Sequence, residues 1–221
     1  MASPAQLVRR LSETTGVSFA TVTDLDRRLV KASLRSKGGR GLHAARVTPL
    51  DAARLLTAIL GSGHANLAVG AVDRYALTLP DRARSSEKLF AAPDLADLAS
   101  LSVRHSFVDG LEHLITSATA GALAQLIEKT EEQLAPPSIE IFAFTQATYG
   151  RIRLAGLPNS MVVNVEYAPA PTSKGPPKIK GRGIAAVNEI AGDLEQSRRV
   201  TERTILAVAE LFAEEREHGR A

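Results

Sequence analysis

Apolar residues recur at helical spacing through the first sixty residues of the chain. Between residues 4 and 15 the apolar positions that share one face are Leu7, Val8 and Leu11. Between residues 19 and 32 they are Val22, Leu25, Leu29 and Val30. Apolar positions that repeat every three or four residues are typical of amphipathic helices. We therefore predict two short helices here and a third from Thr48 to Gly61.

Start and stop residues set the bounds of these helices. Ser3 followed by Pro4 is a suitable N-cap and first position, and Gly16 suits the end of the first helix because it tolerates a positive φ. Ser18 can cap the second helix. Thr48, followed by a proline and by Asp51 three residues later, is a strong start signal for the third.

The stretch between the second and third helices has a different character. Gly38-Gly39-Arg40-Gly41 is incompatible with a helix and predicts a tight turn. Short extended arms at Leu34–Lys37 and His43–Val47 would complete a hairpin.

The middle of the chain is predicted to be helical. We expect helices from His64 to Leu79, from Asp94 to Ser100 and from Ser106 to Glu132, with a polar loop from Asp81 to Lys88. Pro80 ends the first of them and Pro136-Pro137 end the last, because proline cannot continue a helix.

The last third of the chain contains β-type patterns. Strands are expected at Ser138–Thr145, Arg151–Ala155 and Met161–Tyr167, with Leu194–Val200 as a fourth candidate, before a closing helix at Glu202–Glu217. The fold class is therefore α+β: an N-terminal helix-turn-helix with a wing-like hairpin, a helical middle and a C-terminal antiparallel sheet of three or four strands. We divide the chain into residues 1–62, 63–135 and 136–221.

Composition narrows the class of protein. The chain has 221 residues, enough for a hydrophobic core, and no cysteine, which excludes disulfides and cysteine-based metal sites. No apolar stretch is long enough to span a membrane and no signal-peptide pattern begins the chain, so we expect a cytoplasmic protein without membrane contact.

The charge is unevenly distributed. The net charge is +3, yet residues 1–54 hold ten basic residues and only four acidic ones, so the remainder carries a net negative charge. A basic N-terminal part on a slightly acidic body is typical of a head that binds a polyanion. A solvated, arginine-rich surface explains the same distribution equally well.

One sequence motif suggests how the basic N-terminal part could act. The segment Thr15-Gly16-Val17-Ser18, followed by Ala20-Thr21-Val22, Leu25, Arg27-Arg28-Leu29 and Leu34, resembles the helix-turn-helix of winged-helix transcription regulators over about residues 5–48. The resemblance implies that the helix after Ser18 is a recognition helix and that Gly38–Gly41 is a wing tip. The capped helix at 48–60 would then take the role of the first helix of that module, or that helix is absent.

Helix geometry and side-chain chemistry also favour a contact with DNA through these residues. Ser18 would cap a helix whose N-terminal end enters the major groove, and Ala20 and Thr21 would permit close approach to the bases. Arg27, Arg28 and Lys31 lie where they could reach phosphates or bases. The residues that we expect to contact double-stranded DNA are Ser18, Ala20, Thr21, Thr23, Arg27, Arg28, Lys31, Lys37, Arg40 and Arg46.

The loop of residues 168–183 is a candidate for a second contact with DNA. Its four positive charges are Lys174, Lys178, Lys180 and Arg182. Four prolines keep the loop extended, so it could follow phosphates. A solvent-exposed loop without a partner explains this composition equally well.

Catalytic and cofactor signatures are missing from the sequence. The histidines lack the spacing of a helical zinc site, and no nucleophile elbow occurs. Neither Gly38-Gly39-Arg40-Gly41 nor Gly181-Arg182-Gly183 has P-loop spacing. Phe142 and Phe144 could stack bases as in RNA-binding sheets, but without the surrounding motif we favour a packing role for them. We expect no cofactor, no metal and no catalytic residue.

The function that these observations favour is a sequence-specific transcription regulator of bacterial or phage type, whose C-terminal part dimerises or accepts a signal. We expect a homodimer because the closing helix carries an apolar stripe of Ile205, Val208, Ala209 and Phe212. A monomer in which this helix simply covers the sheet is the competing hypothesis. The alternative function is that of a non-enzymatic assembly protein whose basic head docks on an acidic partner. A nucleic-acid-processing enzyme is a third hypothesis, for which the sequence displays no acidic or histidine cluster.

Overall fold

A computed structural model places seven helices and five strands in the part of the chain that it describes. The described residues are 2–37, 46–86, 98, 100–130, 138–145, 147–157, 161–170 and 196–218. The helices are α1 (Pro4–Thr15), α2 (Phe19–Lys31), α3 (Pro49–Gly61), α4 (Ala68–Ala76), α5 (Phe107–Thr119), α6 (Ala122–Thr130) and α7 (Glu202–His218), with one 3₁₀ turn at Ala65–Leu67. The strands are β1 (Thr78–Pro80), β2 (Ser138–Phe144), β3 (Gly150–Leu157), β4 (Met161–Pro169) and β5 (Ser197–Thr201). The α+β class predicted from the sequence is confirmed.

The five strands form one antiparallel sheet in the order β1-β4-β3-β2-β5. Side chains alternate between its faces, as they must in a strand. The inner face packs on helices through residues such as Ile141, Ile152 and Val165, all of which are buried. Glu140, Phe142 and the other residues of opposite parity in β2 lie on the outer face, which no described helix covers.

Local capping explains where the N-terminal helices begin and end. The Ser3 side chain accepts a hydrogen bond from the backbone of Gln6 in a capping box, and Ser18 accepts one from Thr21. Thr48 and Asp51 form a second capping box at the start of α3. Each prediction of a cap at these serines and this threonine is confirmed.

Helix α3 lies at the centre of the core and is buried along almost its whole length. It packs against α2, α4, α5 and the inner face of the sheet, while α1 packs against α2 and α7. The buried apolar residues form one continuous cluster from Leu7 in α1 to Phe212 in α7. The core therefore crosses the boundaries that the sequence suggested at residues 62 and 135.

Two predicted helices are corrected. The segment predicted as one helix from His64 to Leu79 is a 3₁₀ turn, then α4, then strand β1, because Thr78 and its neighbours pair with β4. The helix predicted from Ser106 to Glu132 is divided into α5 and α6 at Gly121, whose φ of +83° no helix can contain. The sheet consequently has five strands rather than three or four.

The wing-like hairpin is not confirmed. Its predicted first arm, Leu34–Lys37, is not a strand, because its groups bond to the helices instead: the Ser36 N–H donates to Asp51 and the Leu34 carbonyl accepts from Arg54. The tip at Gly38–Gly41 lies outside the described residues. So do the basic loop around Lys174 and nearly all of the helix predicted at 94–100.

No helix among the described residues is long and apolar enough to cross a bilayer.

Candidate functional site

A tight turn joins α1 to α2. Gly16 ends α1 with a φ of +73°, and its N–H donates to the Ser12 carbonyl at 3.0 Å. The Ser12 hydroxyl donates to the Val17 carbonyl at 2.7 Å, and Ser18 then caps α2. The chain thus passes from α1 to α2 through three residues.

Helix α2 has one buried face and one solvent face. Val22, Leu25 and Leu29 are fully or almost fully buried against the neighbouring helices. The solvent face, which we call the α2 face, consists of Ser18, Phe19, Ala20, Thr21, Thr23, Asp24, Arg27, Arg28 and Lys31. All of these residues are exposed except Thr23 and Asp24, which are half-buried. The sequence-predicted residues of α2 are therefore together on one surface.

Hydrogen bonds within α2 organise part of this surface. The Ser18 and Thr21 hydroxyl oxygens lie 2.8 Å apart, and the Thr23 hydroxyl donates to the Phe19 carbonyl at 2.7 Å. Arg28 pairs with Asp24 one turn earlier, at 3.0 Å. Arg27 and Lys31 complete the cationic end of the α2 face.

An exposed aromatic ring adds to the start of the α2 face. Phe19, the first residue of the helix, is 50% exposed. Phe19 is not among the contacts predicted from the sequence. Its position two residues before Thr21, on the solvent side of the turn, is the signal that could have identified it.

Arg35 does not belong to the basic surface that the charge count suggested. Its guanidinium is buried and pairs with the buried carboxylate of Asp26, with Nη2 donating to Oδ2 at 3.0 Å. Burial raises the pKa of the Asp26 carboxyl, and the adjacent Arg35 charge opposes that rise. This ion pair attaches the chain after α2 to the helix.

The remaining predicted contacts lie around an undescribed segment or within one. Lys37 and Arg46 are exposed and stand on either side of residues 38–45, and the Lys37 ammonium donates to Ser33 at 3.0 Å. Arg40 lies within that segment. The second group of candidate contacts, Lys174, Lys178, Lys180 and Arg182, also lies outside the described residues.

The outer face of the sheet carries a second candidate surface, in which two arginines stack on an aromatic ring. Phe142 in β2 lies between two arginines, its register partners Arg151 in β3 and Arg199 in β5. The Arg151 guanidinium carbon stands 4.5 Å from the centre of the Phe142 ring and that of Arg199 stands 5.9 Å away. Such stacking of cations on an aromatic face is favourable.

A groove opens beside this stack. It has a volume of about 600 Å³, and its lining includes Arg84, Phe142, Phe144, Tyr149, Arg151 and Glu166. The Phe144 and Tyr149 rings meet edge to face with centroids 5.3 Å apart. The Tyr149 hydroxyl donates to the Glu166 carboxylate, and burial together with that acceptor raises the pKa of Tyr149.

This groove was not predicted from the sequence. Phe142 and Phe144 were expected to have a packing role, yet both lie on the outer face and line the groove. The alternation of Ile139, Ile141 and Ala143 with these residues in β2 was the signal, because it places both rings opposite the core.

The described residues bring together no cluster of three histidine, aspartate or glutamate side chains of the kind that holds a metal ion. Comparison with known protein families, curated proteins and solved structures finds no match for this chain.

Proposed function

We propose that this chain binds double-stranded DNA through the α2 face and acts as a sequence-specific, non-enzymatic transcription regulator. The observation that carries the proposal is the exposure of the whole outer side of α2 directly after the Gly16 turn. A recognition helix must present its N-terminal residues to base edges in the major groove, and a helix covered by its own protein cannot do so.

The order of side chains along the α2 face suits such a contact. Small and hydroxyl-bearing residues, Ala20 and Thr21, lie at the front of the helix, where close approach to bases is required. The half-exposed Phe19 ring offers an apolar contact to a thymine methyl group. Arg27 follows about two turns later and Lys31 about three turns later, at positions suited to phosphates.

Positive charge beyond α2 supports the same orientation. Lys37 and Arg46 stand exposed on either side of residues 38–45, the segment in which the sequence predicts Arg40 at a wing tip. Arg35 is buried in its ion pair with Asp26 and cannot reach a phosphate. The exposed basic residues of this region would make the phosphate contacts instead.

The experiment is a selection of bound duplexes from a random pool, followed by titration of the enriched duplex at several salt concentrations. Changing Arg27 and Lys31 together to glutamine should weaken binding by about tenfold or more, a factor equivalent to ~1.4 kcal/mol. It should also reduce the salt dependence of affinity, since fewer counterions are released.

The matched control changes Arg104 and Arg203 to glutamine. Both are exposed and lie outside α2, so this variant has the same net charge as the test variant. Equal weakening of binding by the two variants would show that only net charge matters and would contradict a contact through the α2 face. Failure of the selection to enrich any sequence would contradict a sequence-specific regulator.

A protein partner is the competing occupant of the α2 face, and the exposed Phe19 ring is the observation that favours it. An acidic protein would satisfy Arg27 and Lys31 in the same way as phosphates. Absence of DNA binding by intact, folded protein at low salt, where electrostatic binding is strongest, would favour this alternative.

Dimerisation remains a prediction, but the apolar stripe of α7 does not support it. Ile205, Val208, Ala209 and Phe212 of α7 are buried within the chain, so the apolar stripe is used by the fold itself. A dimer would have to use another surface. Light scattering over a range of concentrations distinguishes a dimer from the 23.5 kDa chain alone.

A further inference from the structure

The groove on the outer face of the sheet has the size of a small-molecule site. Its volume of about 600 Å³ lies within the range of known ligand pockets. Aromatic rings form much of its wall, and Arg151 stands in it with its guanidinium stacked on Phe142. The stacking holds the cationic group in a fixed position beside the groove.

The acidic residues nearest to Arg151 on the sheet have other partners. Glu140 accepts hydrogen bonds from both Arg153 and Arg199, at 3.0 and 2.8 Å. Glu166, the register partner of Arg151 in β4, instead accepts from Tyr149 and from Asn164.

Arg151 is consequently left without a counter-ion among the described residues. None of their carboxylates lies within ion-pair distance of it, and its buried Nε has no hydrogen-bond acceptor there. A guanidinium in this state can bind an external anion through two parallel hydrogen bonds.

We propose that the groove binds a small aromatic carboxylate, with the carboxylate on Arg151 and the ring against Phe144 and Tyr149. Arg84, the other arginine of the lining, pairs with Asp81 at 3.5 Å, so Arg151 is the cation that remains without an acidic partner among the described residues, and one such cation matches one negative charge. A phosphate monoester would bring almost two negative charges close to Glu166, which makes it the poorer ligand. A planar ring fits the groove because aromatic pairs favour offset or edge-to-face contacts with rings such as Phe144.

The site stands on the sheet alone and does not depend on DNA binding by α2. Its test therefore contains no DNA. The chain has no tryptophan, so the fluorescence of an indole ligand can be excited without a contribution from protein indole. Indole-3-acetate is the probe, indole-3-acetamide is its neutral counterpart, and AMP represents a ring that carries a phosphate.

Indole-3-acetate should bind the full chain, and indole-3-acetamide and AMP should bind at least about tenfold more weakly. Arg151→Gln should weaken indole-3-acetate binding by a similar factor. The matched control is Arg199→Gln, which removes the other arginine on Phe142 but not a residue of the groove, and should change the affinity by less than about twofold. Melting temperatures establish that both variants are folded.

Several results would overturn the proposal. They are the absence of indole-3-acetate binding at millimolar concentration, equal binding of the acetate and the acetamide, tighter binding of AMP, and equal loss of affinity in the two variants. The comparison of the two indole ligands uses unaltered protein, so it decides the role of charge even if Arg151→Gln does not fold.

Discussion

The Nε2 atom of His105 lies 2.8 Å from the hydroxyl oxygen of Tyr167 inside the core. On the other side of the ring, Nδ1 lies 2.6 Å from the Ser102 carbonyl, which can only accept a hydrogen bond. Nδ1 therefore carries the hydrogen, and Nε2 accepts one from the Tyr167 hydroxyl. The neutral imidazole satisfies both contacts and joins the loop before α5 to strand β4.

This arrangement predicts a loss of stability in mild acid. Burial lowers the pKa of His105 below its ordinary value of 6.5, although the Ser102 carbonyl and the nearby Asp109 oppose the shift. Because the folded-state pKa is the lower one, the contribution to stability is complete above pH ~6.5 and is lost as the pH falls. The slope from this one group can reach about 1.4 kcal/mol per pH unit.

The measurement is the free energy of unfolding in urea between about pH 7.5 and 5. His105→Gln should show a flatter profile than unaltered protein, whereas His64→Gln, which removes an exposed imidazole, should keep the fall. Parallel profiles for unaltered protein and His105→Gln would contradict the assignment.

The buried pair of Asp26 and Arg35 predicts a strong effect of removing the cation. The two side chains are only 11% and 6% exposed, so Arg35→Ala leaves a buried carboxylate without its partner. We expect a loss of about 3–5 kcal/mol in the free energy of unfolding. The loss should be smaller at pH 5 than at pH 8, because burial raises the pKa of Asp26 and the protonated form needs no cation.

Arg28→Ala is the matched control for this pair. It breaks the exposed ion pair with Asp24 one turn away on the same helix, whose side chains are 43% and 47% exposed. Surface pairs contribute at most about 1 kcal/mol. If both variants lose similar stability in urea unfolding, the buried pair has no special role.

Gly150 predicts a packing defect that follows from its contacts. A Cβ on this residue would stand 2.8 Å from Cδ2 of Phe107 and 3.2 Å from Cε1 of Tyr75. Both rings are fully buried and cannot move aside, so Gly150→Ala should cost about 1–3 kcal/mol. Gly63→Ala is the control, since its Cβ would meet nothing nearer than 3.9 Å and should change stability by less than about 0.5 kcal/mol. Equal melting temperatures for the two variants would contradict the packing argument.

The three N-terminal helices could be predicted because their signals are local. Ser3, Ser18 and Thr48 cap helices through bonds to residues three positions ahead, and Gly16 ends α1 through its own backbone. Such interactions depend on neighbours in the chain, so periodicity and caps were sufficient. The same periodicity separated the buried and exposed sides of α2, and with them most of the candidate DNA contacts.

Interactions between distant residues could not be predicted in this way. Strand β1 has only three residues, and it is a strand because it pairs with β4, about ninety positions later in the chain. Arg35 was counted as part of the basic surface, but it is buried and pairs with Asp26. Periodicity describes one segment at a time and says nothing about which segments meet.

The amino-acid sequence by itself determined the helix bounds near the N-terminus, the alternation of the strands and the α+β class, because each depends on spacing along the chain. Tertiary structure alone decided that α3 lies at the centre of a continuous core and that Arg151 faces an aromatic groove without an ion-pair partner among the described residues. The register of three strands brings Phe142, Arg151 and Glu166 into one row. Hydrogen bonding between strands sets that register, so the groove exists only once the sheet has formed.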